Sequence, residues 1–300
     1  MEFVINVMYS TLRVSAPLIM AAMAGALSKQ VNLLNIALEG LMLFGAFAGV
    51  VFAAQFGNTW LGLLAAVLLA LALSAIFALF VIDLRVNLIV AGLAINILAL
   101  GLTAYLLTVV FDARGAFIPE NVTPLPSWDI PLIKDIPILG SILSGHGILV
   151  YLSWLMVLVT SLILYKTSFG VHLRAVGEHK EAAKTAGIAV RRVEYQTILL
   201  GGILAGLAGA QLSIGDLALF TDSMTNGRGF IALAAVFFGN GAPGLTAIGC
   251  LLFGMFEALQ FRVQVRTGMS PQLLQMLPYL IVVIILVLIS IRKKQNKQAL

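Results

Sequence analysis

Long apolar runs, separated by short polar or glycine-containing gaps, dominate the chain. A helix needs about 20 mostly apolar residues to cross a bilayer, and backbone groups in lipid must bond to one another, so such runs predict spanning helices. Nine runs are present, at about residues 12–27, 36–56, 60–82, 88–111, 148–165, 197–214, 230–238, 245–261 and 273–291. The seventh is too short to cross without flanking residues and reads as a full, broken or re-entrant piece. The total therefore stands between eight and ten. The fold class is all-α, a polytopic transmembrane helical bundle forming a single transmembrane domain over residues 1–300. The first run has no basic region before it and no small-residue cleavage pattern, which predicts a retained helix and not a signal peptide.

Composition agrees with the pattern. Hydrophobic residues make up 61% and charged residues only 10%, with a mean hydropathy of +1.05. That is too little charge to cover a water-facing surface, so a soluble protein is excluded. The net charge of +5 must be read by location, and it does not imply nucleic acid. Lys166, Arg174, Lys180, Lys184, Arg191 and Arg192 fall in the loop at 166–195, and Arg292, Lys293, Lys294 and Lys297 form the C-terminal tail. By the positive-inside rule both segments are expected in the cytoplasm, next to anionic lipid. The segment 112–147 holds Asp112, Glu120, Asp129 and Asp135 and five of the nine prolines. It is expected outside, as a semi-rigid non-helical cap. Parity then places the turn at 239–244 inside and the N-terminus outside. Val31-Asn32-Leu33 and Val86-Asn87-Leu88 each open an apolar segment, which leaves a chance match and an internal repeat both open.

Little in the chain suggests reaction chemistry. The single cysteine, Cys250, lies in an apolar stretch and rules out a disulfide framework. The three histidines are scattered without ligand spacing, so no metal, catalytic residue or cofactor is expected. No Gly-x-x-x-x-Gly-Lys-[Ser/Thr] phosphate loop is present, so any ATP must bind another subunit.

The basic loop is the most informative segment. Residues 177–187 read as a short amphipathic helix, with Gly177 as N-cap, Glu178 and Glu181 in the first turn, Lys184 late, and Gly187 as a left-handed C-cap. Ala182, Ala183 and Ala186 would give it a smooth face suited to close contact with another protein. An ordinary topology-setting basic loop is the competing reading.

The run Ala175-Val176-Gly177-Glu178-His179-Lys180-Glu181-Ala182-Ala183-Lys184-Thr185-Ala186-Gly187-Ile188 resembles the coupling-loop signature of bacterial ABC importer permeases, in the branched-chain amino acid, simple sugar and nucleoside group. Asn35-Ile36-Ala37-Leu38-Glu39-Gly40 resembles their second membrane segment, and the run from Gly229 to Gly239 resembles their late glycine-flanked segment. Within the group the motifs look most like purine nucleoside uptake permeases. The resemblance implies a multi-pass subunit of the bacterial cytoplasmic membrane, paired with an identical or homologous permease. It also implies two ABC ATPase subunits and an extracytoplasmic substrate-binding protein as partners. Gly177, Glu178, Glu181, Ala182, Ala183 and Gly187 would then contact the ATPase. A simple sugar or branched-chain amino acid permease is the alternative within transport, and a secondary carrier or an intramembrane enzyme the alternative outside it.

Polar residues inside apolar runs need a reason, since ionisable groups at the bilayer centre cost at least ~2.5–3.5 kcal/mol. Asn35 and Glu39, one turn apart, either line the path or its inner gate, or Glu39 pairs structurally with Lys29 or Arg85. Asn96 suits a hydrogen bond to cargo or between helices. Gln211 and Asn226 are further path candidates, with loop solvation as the alternative. Glu257 and Gln260 share a helix face that meets a partner permease or cargo. The one plausible carboxylate pair, Glu39 and Glu257, lacks the companions that an intramembrane enzyme would want.

Overall fold

The computed structural model describes residues 2–113, 115–131, 136, 139–267 and 276. Its helices are α1 (Glu2–Gln30), α2 (Leu38–Phe56), α3 (Thr59–Ala78), α4 (Leu88–Phe111), α5 (Leu139–Leu143), α6 (Ile148–Lys166), α7 (Ser168–Glu178), α8 (Lys180–Thr185), α9 (Val190–Ala210), α10 (Arg228–Phe238) and α11 (Pro243–Thr267). Single π-helical turns extend α3 (Leu79–Asp83) and α9 (Gln211–Gly215). Seven of these helices are long and apolar enough to cross a membrane, and α10 is a shorter apolar helix. All but Met276 of the ninth expected run, and the basic tail, lie outside the described residues.

Two helices begin earlier than hydropathy predicts. α1 starts at Glu2 and not near Leu12, and α9 starts at Val190 and not at Thr197. The added turns carry charges that dilute hydropathy yet find partners, as Arg191 does on Asp83 and Glu194 on Lys180.

α1 is the central post. Its residues from Ser15 to Ser28 are all buried, and it packs against α6, α9, α10 and α11. α9 packs on α2 and α3 through glycines, as membrane helices do where backbones must approach closely. A Cβ on Gly206 would lie 2.8 Å from the Ala66 carbonyl oxygen, and one on Gly202 would lie 2.5 Å from the Ser74 Cβ. Ser74 Oγ donates to the Ile198 carbonyl at 2.6 Å, which fastens the same pair.

The bundle has two distinct ends. At the basic end lie α7, α8 and the 239–242 turn, where Lys29 Nζ donates to Asn240 Oδ1 at 3.0 Å and Gln30 Nε2 to the Gly241 carbonyl at 3.1 Å. At the opposite end the start of α1 meets the 112–147 segment, with Tyr9 Oη donating to the Gly145 carbonyl at 2.9 Å. That segment contains two-residue strands, β1 (Ala116–Phe117), β2 (Ser127–Trp128) and β3 (His146–Gly147), and β4 (Phe220–Thr221) lies beyond α9. β1 pairs antiparallel with β4 and β2 with β3. The expectation of a wholly non-helical cap is corrected by α5, one short helical turn after the proline-rich stretch.

Candidate functional site

Two helices start inside the bundle. α1 ends at the basic end, residues 33–37 return into the interior without regular helix, and α2 begins there. From the other end, residues 222–227 turn inward after β4 and α10 begins. The two N-termini meet at Glu39, whose carboxylate accepts from Gly227 N–H at 2.8 Å and Gly229 N–H at 2.6 Å. Glu39 also lies in the first turn of its own helix. One negative charge therefore faces the positive ends of two helix dipoles. This corrects the expected pairing with Lys29 or Arg85: Lys29 bonds Asn240 and sits over the Phe237 ring, and Arg85 is exposed. A side chain on Gly229 would meet the Glu39 backbone nitrogen at 2.6 Å, so glycine is required there.

The neighbouring polar candidates serve the same joint. Asn96 Oδ1 accepts from Gly40 N–H at 2.8 Å and its Nδ2 donates to the Ile36 carbonyl at 3.0 Å, so its amide is used on the open backbone before α2. Asn35 is fully buried; its Oδ1 accepts from Ala37 N–H at 3.1 Å, while its Nδ2 has no acceptor among the described residues. Asn226 is exposed, in the left-handed region at φ +44°, in the turn that delivers Gly227.

A second cluster lies toward the 112–147 end. Gln211, fully buried in the π turn of α9, donates from Nε2 to Asp216 Oδ1 at 3.1 Å, and its Oε1 has no donor among the described residues. The same Asp216 oxygen accepts from Arg13 Nε at 2.9 Å. Burial pushes the Asp216 carboxyl above the usual carboxylate range, with the Arg13 charge opposing it. Arg228 pairs with Glu257, and Gln260 is buried one turn further along α11. Arg13, Asp216 and Arg228 line a cavity of about 860 Å³ between α1, α11 and the 212–228 segment. The sequence reading missed Arg13, Asp216 and Arg228. The available cue was a lone cation or anion at the edge of each apolar run. Among the described residues no group of His, Cys, Asp or Glu is placed to hold a metal ion.

At the basic end the loop 166–190 forms two helices and not one. α7 runs through Gly177 and Glu178, so Gly177 is not an N-cap; a Cβ there would overlap the Gln30 carbonyl oxygen, and the close approach explains the glycine. His179 breaks the helix and caps α8, its Nδ1 accepting from Ala182 N–H at 3.2 Å. Gly187 ends the unit at φ +82°, with Gly187 N–H bonded to the Lys184 carbonyl and Ile188 N–H to that of Ala183. This is the left-handed stop expected of it. The alanines do not share a face, because Ala183 is buried and Ala182 and Ala186 are exposed. Glu178, Glu181, Lys184 and Thr185 are exposed as well. Lys180 Nζ sits 2.5 Å from Glu194 Oε1, which ties α8 to α9 as a charge contact and not as an aligned hydrogen bond.

A family model described as "Branched-chain amino acid transport system / permease component" matches residues 7–287. The chain is 36% identical to the guanosine ABC transporter permease protein NupQ of Bacillus subtilis, over 83% of this chain and 80% of that protein. It is 34% identical to the nucleoside ABC transporter permease protein NupC of Lactococcus lactis, over 91% of this chain and 89% of that protein. It is 31% identical to TsgC13 of Haloferax volcanii, an ABC transporter permease protein whose name refers to glucose, over 100% and 96%. Among solved structures, an inward-facing ABC transporter of metal-chelate type shares the fold at a TM-score of 0.52 and 17% identity, covering 96% of this chain and 85% of that one.

Proposed function

Since the chain belongs to the family of branched-chain amino acid transport system permease components, a multi-pass membrane family, we propose that it is the translocation subunit of an ATP-driven importer whose cargo is a nucleoside. The observation that carries the reading is the pair of nucleoside- and guanosine-named relatives aligned along most of the chain. On this reading the basic end faces the cytoplasm, the tail with it, and α8 seats on a separate ATPase subunit. Glu178, Glu181, Ala182 and Gly187 supply its exposed surface, Ala183 anchors it inward, and Gly177 holds α7 against α1. A second permease copy or homologue completes the pore, and a binding protein delivers cargo at the 112–147 end. The glucose-named relative, which aligns over the whole chain, supports a sugar permease as the second reading.

The test is uptake by proteoliposomes that hold the permease with its copurified subunits. Labelled guanosine should accumulate with ATP, and Glu181→Lys or Gly187→Pro should separate ATP hydrolysis from uptake while the bundle stays folded. Accumulation of glucose or leucine with no nucleoside overturns the cargo assignment. Uptake that persists without any ATPase overturns the importer assignment.

A further inference from the structure

The cavity of about 860 Å³ falls within the roughly 300–1,000 Å³ of small-molecule sites. Its setting is unusual for a bundle this apolar. The 216–227 backbone beside it is largely irregular and follows directly on the end of the Val190–Gly215 span, where irregular backbone has to be satisfied by protein or water. Arg13, Asp216 and Arg228 reach it from α1, the turn after α9 and the start of α10, and charges placed in a membrane bundle mark ligand paths by default. The walls between them are apolar and aromatic, including Phe3, Leu217 and Phe261.

The bonding inventory leaves specific valences open. Asp216 uses Oδ1 twice, and among the described residues its Oδ2 takes no hydrogen bond. Among the described residues Arg13 bonds only through Nε. Arg228 is committed to Glu257 and the Met224 carbonyl, and its Nε, without an acceptor among the described residues, is enclosed by protein. A free carboxylate oxygen accepts from hydroxyls, free guanidinium N–H groups donate to carbonyl and ring nitrogen acceptors, and a flat apolar wall suits a flat base. Both Arg13 and Arg228 are already charge-paired, which favours a neutral ligand over an anion.

We propose that this cavity is a cargo chamber, in which Asp216 accepts from the vicinal hydroxyls of a ribose while Arg13 donates to the base and Phe261 packs on its face. The assignment rests on the nucleoside reading above, and the experiment separates the two. In proteoliposomes with all subunits, uptake of a ribonucleoside is compared with that of its 2′,3′-dideoxy analogue, for the parent chain and for Asp216→Asn. The binding protein is the same in both, so its selectivity cancels in the ratio. The parent ratio should fall by roughly tenfold in the variant, the scale of a lost hydrogen bond to a charged group. A second measurement uses Leu217→Cys in a Cys250→Ala background, labelled by an impermeant maleimide. Guanosine should slow the labelling. Protection by glucose or leucine but not guanosine keeps the chamber and overturns the nucleoside assignment. An unchanged uptake ratio, or labelling that no transported solute slows, overturns the chamber.

Discussion

Glu39→Gln isolates the electrostatics of the interior joint, because it keeps side-chain size and removes only charge and one acceptor. The Glu39 carboxylate accepts from two backbone donors, at 2.8 Å and 2.6 Å, and the residue is only 8% exposed. Glutamine offers one neutral oxygen, so one glycine N–H keeps a weaker bond and the other faces an NH₂ group. An orphaned buried donor costs about 1–3 kcal/mol, and a neutral bond is worth about 1 kcal/mol less than a charge-assisted one. The summed loss is about 2–4 kcal/mol, before the lost dipole interaction at the two N-termini is added. At roughly 2–4 °C per kcal/mol for a chain of this size, the unfolding midpoint in detergent should drop by roughly 5–15 °C. Differential scanning fluorimetry of the purified protein reads this directly, with Lys29→Gln as the control that should move it far less. A midpoint for Glu39→Gln within about 1 °C of the parent would refute the capping argument and return Glu39 to the set of groups that act only on cargo.

Three further outcomes follow from the same contacts. Lys180→Met strands the buried Glu194 carboxylate; since Lys180 is itself half exposed, the loss should be about 1–2 kcal/mol and not the larger cost of a fully buried pair, and a Lys180→Glu/Glu194→Lys exchange should restore most of it in the same melting assay. Gly177→Ala forces a methyl onto the Gln30 carbonyl oxygen, so the yield of folded protein by size-exclusion chromatography should fall sharply, whereas Gly244→Ala, with open space around it, should behave as the parent. His146 stacks on Tyr9 at 4.1 Å, and burial holds its pKa below the ordinary 6.5. The unfolded chain therefore binds more protons between that lowered value and 6.5, so stability is lost as pH falls through this window; melting midpoints from pH 7.5 to 5 should show a slope that His146→Gln reduces, and equal slopes would contradict it.

The spans were legible because lipid leaves the backbone no other partner, so apolar runs and helices coincide. What stayed hidden were contacts between distant residues. Glu39 meets backbone N–H groups at 227 and 229, which leave no side-chain signature, and a search for cationic partners looked to Lys29 and Arg85 instead. Gly187 was readable because a left-handed stop is a local property of one turn. Gly177 was not, because its requirement comes from Gln30 at the end of another helix. The early start of α9 was missed for a related reason: Arg191 and Arg192 look like loop residues until Asp83, which accepts from Tyr195 and pairs with Arg191 at 2.8 Å, is seen at the end of α3.

That last contact bears on how the two ends communicate. The helix from Val190 through Gly215 spans about 39 Å at 1.5 Å per residue. Its first turns are held by α8 through Lys180 and by the end of α3 through Asp83. Its middle is locked to α3 at Gly202 and Gly206 and to α2 at Gly209, with no room for a methyl group. Close packing of this kind makes sliding between α2, α3 and α9 costly. The far end of the helix carries Gln211 and leads directly to Asp216, which is bonded to Arg13 on α1. α1 packs on α9 as well as on α11, and it is tied to the 239–242 turn. On the importer reading, the helix from Val190 through Gly215 is therefore the element that joins the α8 surface to the Arg13–Asp216 ion pair in the cavity wall.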